Sequence, residues 1–253
     1  MNVHDQSQGY RTGAAHYVAG RPGYPPEAVA WLRDVVGVGP GRKVLEVGAG
    51  TGKFIPMLEQ CGATIVAVEP IDEMRERLVR DHPDVEALHG TATAIPLPDA
   101  SVDAVVCAQA FHWFATREAL AEMRRVLVDG GILGLIWNVR DESVPWVAEL
   151  STITNRYESD APRYRTGEWR RAFPAPGFAF VDERHARNSH IGPARDVVLD
   201  RTLSVSFIAG LPADRRSEVA REVEALIART PELAHGGDVA FPYATGMYAY
   251  RKV

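Results

Sequence analysis

The sequence predicts an α/β protein organised on a doubly wound, mostly parallel sheet. Three observations point there. Short runs of β-branched and apolar residues alternate with stretches in which apolar residues recur at every third or fourth position, from about residue 43 to residue 137. The first of these runs ends in a glycine turn, Gly48-Ala49-Gly50-Thr51-Gly52, that leads into a helix-compatible segment at Lys53. The run from Val102 to Cys107 is apolar nearly throughout, as a strand covered on both faces must be.

The elements follow in order. Residues 1–25 lack periodicity, are rich in Gly, Tyr and Pro, and read as a loop or short helix laid over something else. Pro26 is placed to open a helix over Glu27 to about Val36, with Val29, Leu32 and Val36 on one face, stopped by Gly39-Pro40-Gly41. Lys43 to Val47 is the first strand. After the glycine turn, Phe54, Met57, Leu58 and Cys61 recur at helical spacing until Gly62, with Pro56 tolerable only near the helix start. Thr64 to Val68 is the second strand, closed by Glu69 and Pro70. A helix from Ile71 to Arg80 turns Ile71, Met74 and Leu78 inward, and Asp84 to Leu88 is the third strand. Val102 to Cys107 is the fourth. Thr116 caps a helix whose Leu120, Met123 and Leu127 face the core, and Gly130-Gly131 turns into a fifth strand, Ile132 to Trp137.

Beyond residue 138 the rhythm breaks. Residues 144–172 read as helical and irregular, Phe178 to Arg184 as a strand, Arg195 to Ile208 as a helix, and Asp214 to Arg229 as another with Val219, Val223, Leu226 and Ile227 inward. A strand-like, Tyr-rich run from Ala240 to Arg251 closes the chain. The expected organisation is one domain over residues 1–253: a cap and first helix in 1–40, the alternating core in 41–138, a cap insertion in 139–230, and a terminal strand region in 231–253.

Composition narrows the function. The chain has 253 residues, 46% hydrophobic and 24% charged, enough for one complete core. A formal net charge of −5 with no long basic run disfavours nucleic acid as a sequence-independent partner, and none is expected. Cys61 and Cys107 lie in separate apolar segments and suggest neither a disulfide framework nor a thiolate metal site. No apolar run approaches the roughly 18 residues of a membrane span, and Met1 to Gln8 is polar, so a cytoplasmic protein without a membrane partner is expected. The histidines show no His-x-x-x-His spacing, and no metal is expected.

Several readings compete for the glycine turn. A phosphate-cradling loop needs a glycine where Val47 stands and a hydroxyl where Phe54 stands. A dinucleotide fingerprint needs its third glycine one residue later than Gly52. A turn that binds nothing is the plain structural alternative. Glu46-x-Gly48-x-Gly50-x-Gly52, by contrast, resembles the first motif of class I S-adenosylmethionine-dependent methyltransferases.

In open parallel sheets ligands sit beyond the carboxyl ends of the strands. Glu69, at the end of the second strand and about 20 residues past the loop, is either a solvated strand-end carboxylate or an acceptor for both hydroxyls of a ribose. Backbone groups of Thr91 and Ala92 follow the third strand and suit the edge of an adenine, with Ile71 and Met74 over its face; core packing serves Met74 equally well. After the fourth strand comes Ala108-Gln109-Ala110-Phe111-His112-Trp113-Phe114, where a cofactor's reactive end and an acceptor would meet.

Together with the Ile95-Pro96-Leu97-Pro98-Asp99 segment and Val126-Leu127-x-x-Gly130-Gly131, these motifs resemble the methyltransferase type 11 family. Arg21-Pro22-x-Tyr24-Pro25 and His112-Trp113-Phe114 resemble its small-molecule branch that includes trans-aconitate-methyltransferase-like proteins. The resemblance implies a Rossmann-like, seven-stranded sheet with a helical cap, and S-adenosyl-L-methionine as cofactor. It implies that Gly48, Gly50 and Gly52 surround the methionine part, that Glu69 binds the ribose and that Thr91 with Ala92 borders the adenine; Glu46, Ala49, Pro70, Met74 and Gln109 are further candidates for cofactor binding. Where relatives often carry an acid, this chain has Thr93. Tyr17 and Arg21 belong to an N-terminal segment expected to close over the cofactor, Arg21 meeting its carboxylate.

His112 is the catalytic candidate, as a general base, as a group orienting the acceptor, or as a structural histidine under an aromatic cluster. Arg156, Arg163, Arg165, Arg170 and Arg171 outnumber Glu158, Asp160 and Glu168, which suits an acidic or planar acceptor or a solvated helical face. The expected activity is methyl transfer to a small-molecule acceptor, onto oxygen first, with nitrogen and carbon open, by a monomer or homodimer. A nicotinamide-dependent oxidoreductase and a non-catalytic S-adenosylmethionine-binding protein are the rivals.

Overall fold

The computed structural model describes residues 22–158 and 162–253. Among them the strands are β1 (Lys43–Val47), β2 (Thr64–Val68), β3 (Glu86–Leu88), β4 (Val102–Ala108), β5 (Leu127–Arg140), β6 (Phe178–Pro193) and β7 (Asp238–Lys252). They form one sheet in the order β3-β2-β1-β4-β5-β7-β6. Strands β1 to β5 pair in parallel, and β7 runs antiparallel between β5 and β6. The order reverses between β1 and β4, which opens a crevice above their carboxyl ends.

The helices that cover the sheet are α1 (Pro26–Trp31), continued by wider turns over Leu32–Val36, α2 (Ile55–Glu59), α3 (Asp72–Asp81) and α4 (Arg117–Val126). Alternation along the strands sends side chains to opposite faces. Leu45, Val105 and Leu133 join Leu120 and Met123 of α4 on one face, while Val44, Val106 and Ile136 join Trp31 and Leu58 on the other. Each fully buried Leu or Val contributes about 1.5–3 kcal/mol. Thr116 caps α4 as expected, its Oγ1 accepting from the Ala119 amide at 3.2 Å.

A third apolar cluster stands apart from the sheet core. It joins Trp146, Val147 and Leu150 of α5 (Pro145–Asn155) to Val219, Val223 and Leu226 of α6 (Ala213–Arg229), with Ile227 packed at its margin. Residues 195–208 contribute to it as short helical pieces rather than one helix.

Further elements differ from expectation, β3 starting at Glu86 rather than Asp84 among them. The first helix buries Ala28, Trp31, Leu32 and Val36 and leaves Val29 half-buried, because the buried face runs through Ala28 and Trp31, one residue round from the expected one. The helix after the glycine turn starts only at Ile55, because Thr51 to Phe54 remain in turn conformation. Strand β5 begins at Leu127, not Ile132; Val102 pairs with Leu127, and a register shift before Ala104 absorbs Gly130-Gly131. Strand β6 continues nine residues past Arg184 to Pro193, since β7 pairs with it from Phe178↔Lys252 to Pro193↔Asp238. As an edge strand it carries Asp182, Glu183, Arg184 and Arg187, charges that hide a strand from sequence reading and protect an edge from further pairing.

The loop after β3 is strapped to α4. Arg125 donates to the carbonyls of Ile95 and Leu97 and to Asp99 and Glu122, while Glu122 accepts from the Ile95 amide at 2.9 Å. This explains the Ile-Pro-Leu-Pro-Asp segment structurally: it holds Thr91 and Ala92 at the crevice.

Candidate active site

The crevice is a cavity of about 380 Å³ above the carboxyl ends of β1, β2, β4 and β5. Its first half is built on the glycine loop. The Gly48 amide returns to the Val68 carbonyl at 2.8 Å, tying the loop to β2. Gly48 has φ +73° and leaves no room for a side chain, since a Cβ would lie 2.8 Å from that of Ala110. A Cβ added at Gly50, at φ +59°, would meet only the Met74 sulfur within 4 Å among the described residues, at 3.9 Å, and Gly50 lines the cavity.

Glu69 locks this loop in place. One carboxylate oxygen accepts from the Gly50 amide at 2.8 Å, the other from the Ile71 amide at 2.9 Å, at the start of α3. The side chain is 4% exposed. Burial pushes its carboxyl upward, opposed by the two amide bonds and by Arg75. Each carboxylate oxygen retains a further lone pair for a ligand. Glu46 is 1% exposed, lines the cavity, and has an Oε2 without a hydrogen-bond partner among the described residues. Burial and then the charge of Glu69 push its carboxyl well above the ordinary range.

Of the residues expected from sequence, Glu46, Gly48, Ala49, Gly50, Glu69, Pro70, Met74, Thr91, Ala92, Gln109 and His112 all line this cavity. Gly52 does not. At φ +82° it faces α3, where a Cβ would meet His82 at 2.8 Å and Leu78 at 3.1 Å, so its glycine serves helix packing behind the loop. Tyr17 and Arg21 lie outside the described residues; Pro22 and Tyr24, just after them, do line the cavity. The chain is held there through Gly23, whose carbonyl accepts from Asn138 at 2.9 Å and Asn188 at 2.8 Å.

The turn after β4 joins the two halves. Gln109 adopts φ +58°, a left-handed conformation costly for a residue with a side chain, and its amides bond to the carbonyls of Ile136 and Asn138. His112 follows on a single 3-10 turn, Phe111–Trp113, and its Nδ1 accepts from the indole N–H of Trp137 at 3.1 Å.

The second half of the cavity carries Trp113, Phe114, Trp137, Tyr164, Phe207 and Tyr243 together with Arg140, Arg163, Arg165, Arg201, Glu142 and Glu158. Arg163 donates to Glu158 at 2.7 Å and lies 5.5 Å from the ring centre of Trp113 and 4.8 Å from that of Phe207. Its Nη2 is buried and has no hydrogen-bond partner among the described residues. The arginine-rich stretch thus divides. Arg163 and Arg165 reach the cavity, whereas Arg156 pairs with Glu222 of α6, Arg171 pairs with Glu168, and Arg170 sits 4.7 Å from the rings of both Trp169 and Tyr248. Sequence reading missed Arg201, Phe207 and Tyr243; they come from segments with no motif and meet the site only through folding. Among the described residues no cluster of His, Cys, Asp and Glu is placed to hold a metal, and no helix is long and apolar enough to cross a membrane.

Residues 45–135 match the family model described as a methyltransferase domain. An uncharacterised methyltransferase of Mycobacterium tuberculosis is 40% identical over 242 residues, covering 95% of this chain and 94% of that protein. A methyltransferase-like protein of Schizosaccharomyces pombe is 37% identical over 248 residues, covering 96% and 95%. Among solved structures, one described as a type II methyltransferase from Anaeromyxobacter dehalogenans superposes with a TM-score of 0.65 at 23% identity, over 91% of this chain and 97% of that one.

Proposed function

The chain belongs to the methyltransferase domain family of class I S-adenosylmethionine-dependent enzymes, and on that premise we propose that it methylates a small-molecule acceptor on an anionic oxygen. The observation that carries this reading is the continuity of one cavity. It runs from the glycine loop and its two buried carboxylates, past His112, into a chamber of aromatic rings and arginines.

The residues of the first half fit a cationic nucleoside. Glu46 Oε2 and the Thr51 hydroxyl are buried polar atoms without partners among the described residues, both in the cavity wall. A buried group left unsatisfied costs about 1–3 kcal/mol, which a ligand bearing an ammonium or hydroxyl would recover. Gly50 leaves open space where any side chain would intrude. Glu69 is placed for a ribose, Ile71 and Met74 for the face of a purine, and the backbone at Thr91 and Ala92 for its edge. When bound, S-adenosylmethionine supplies a methyl group on a sulfonium that needs no further activation. The protein's part is to bind, orient and exclude water.

The second half supports an acceptor with negative charge. Arg163, flanked by Trp113 and Phe207, has a buried N–H that suits a charge-assisted bond to a carboxylate-like oxygen. Flat aromatic walls suit a planar body.

Calorimetry tests the cofactor, with S-adenosylmethionine and S-adenosylhomocysteine expected to bind and NAD not. A labelled methyl-transfer screen over small carboxylates, phenols and amines tests the acceptor. Binding of NAD without the sulfonium ligands would overturn the reading, and methylation confined to neutral amines would overturn its oxygen specificity.

A further inference from the structure

His112 lines the cavity on the 3-10 turn that follows β4. Trp137, on the neighbouring strand β5, donates its indole N–H to His112 Nδ1 at 3.1 Å. An indole nitrogen can only donate, so this bond requires a lone pair on Nδ1, and the neutral imidazole then carries its proton on Nε2. The indole is held rigidly. It is 1% exposed, with the rings of Trp169, Tyr164 and Tyr248 at centroid distances of 4.8, 4.9 and 5.9 Å. The imidazole is fixed in turn against Trp113, 5.1 Å away.

We propose that Trp137 is a positioning residue that holds His112 as the Nε2–H tautomer, so that His112 orients the acceptor as a hydrogen-bond donor and does not remove its proton. For Nε2 to act as a base, the imidazole proton would first have to move to Nδ1. Two N–H groups would then face one another across a part-buried contact, which costs the bond and leaves the buried indole donor unsatisfied. Of the carboxylates lining the cavity, Glu69 is bonded to two backbone amides and Glu158 to Arg163 and Arg165. An acceptor that arrives already ionised needs no base from His112. Its oxygen supplies the electron pair of the new O–CH3 bond, the pair of the broken S–CH3 bond remains on sulfur, and no proton passes to the protein. This assignment rests on the methyltransferase reading for its chemical consequence, whereas the tautomer is a property of the protein alone.

Nitrogen-detected spectra of the 15N-labelled full chain test it at neutral pH, with and without S-adenosylhomocysteine, the His112→Gln protein identifying the His112 signals. The expected result is Nδ1 unprotonated and Nε2 protonated in both states, and a shift of both His112 nitrogens toward a mixture of tautomers in Trp137→Phe. A proton on Nδ1 in the wild-type protein, or His112 shifts unchanged in Trp137→Phe, overturns the proposal. If Trp137→Phe does not fold, the wild-type spectrum decides alone. Failure to bind S-adenosylhomocysteine would strike at the methyltransferase reading while leaving the tautomer measurement intact.

Discussion

Glu69 and Gly50, on different strand ends, are joined by a bond of 2.8 Å from the backbone amide of the loop to a buried carboxylate, and the same carboxylate reaches forward to Ile71. Through this one side chain the sheet, the glycine loop and α3 hold a common geometry. Glu69→Ala leaves both amides without their acceptor, at about 1–3 kcal/mol each. The expected outcome in denaturant unfolding is a loss of about 2–4 kcal/mol, with Glu69→Gln milder because its carbonyl can replace one acceptor. Unchanged stability in the alanine variant would contradict the strap.

The raised Glu46 carboxyl gives a proton signature to cofactor binding. A cationic ligand beside a carboxyl favours its ionised form, so binding of S-adenosylmethionine should release protons at pH values between the liganded and unliganded pKa. Calorimetry in two buffers of different ionisation enthalpy reads that release, and Glu46→Gln should diminish it. The same group links to stability. Its folded pKa lies above its unfolded value of roughly 4.3, so the unliganded protein gains stability as pH falls from the folded value toward the unfolded one. Proton uptake on binding would be the opposite result.

Two glycines of one loop should respond differently to alanine. Both have positive φ, a strain of about 1–2 kcal/mol for a side chain. At Gly52 the new methyl also meets His82 and Leu78, whereas at Gly50 it enters the cavity. Gly52→Ala should therefore show the larger fall in melting temperature, and Gly50→Ala the larger fall in S-adenosylhomocysteine affinity. Reversal of that order would misplace the loop.

Arg163→Met removes the guanidinium with an unsatisfied N–H while keeping an apolar stem between Trp113 and Phe207. Loss of a charge-assisted bond to the acceptor is expected to lower kcat/KM for carboxylate acceptors by about 10- to 100-fold, at 1.4 kcal/mol per decade. Arg163→Lys should recover only part of this, because an ammonium lacks the planar fork. Equal kcat/KM in all three proteins would remove Arg163 from acceptor binding.

Local signals carried the cofactor half into view before any fold was known. The apolar runs that became β1, β2 and β4, the glycines, and the acid ending β2 are each set by nearest neighbours along the chain: buried parallel strands need unbroken apolar runs, and a tight turn needs positive φ. Such signals failed where the environment is not local. Strand β6 is half-exposed and charged at the sheet edge, so no alternation marks its nine residues past Arg184, and only pairing with β7 extends it. Gly52 shares its spacing with Gly48 and Gly50, yet it turns to α3 because a loop under positive φ sends successive residues to different sides. The acceptor chamber draws Arg163, Arg201, Phe207 and Tyr243 from separate segments, and the Trp137 to His112 bond joins two strand ends. Their convergence follows from the packing of the α5–α6 cluster above the sheet and from strand order, quantities that depend on contacts between distant residues and leave no periodic trace along the chain.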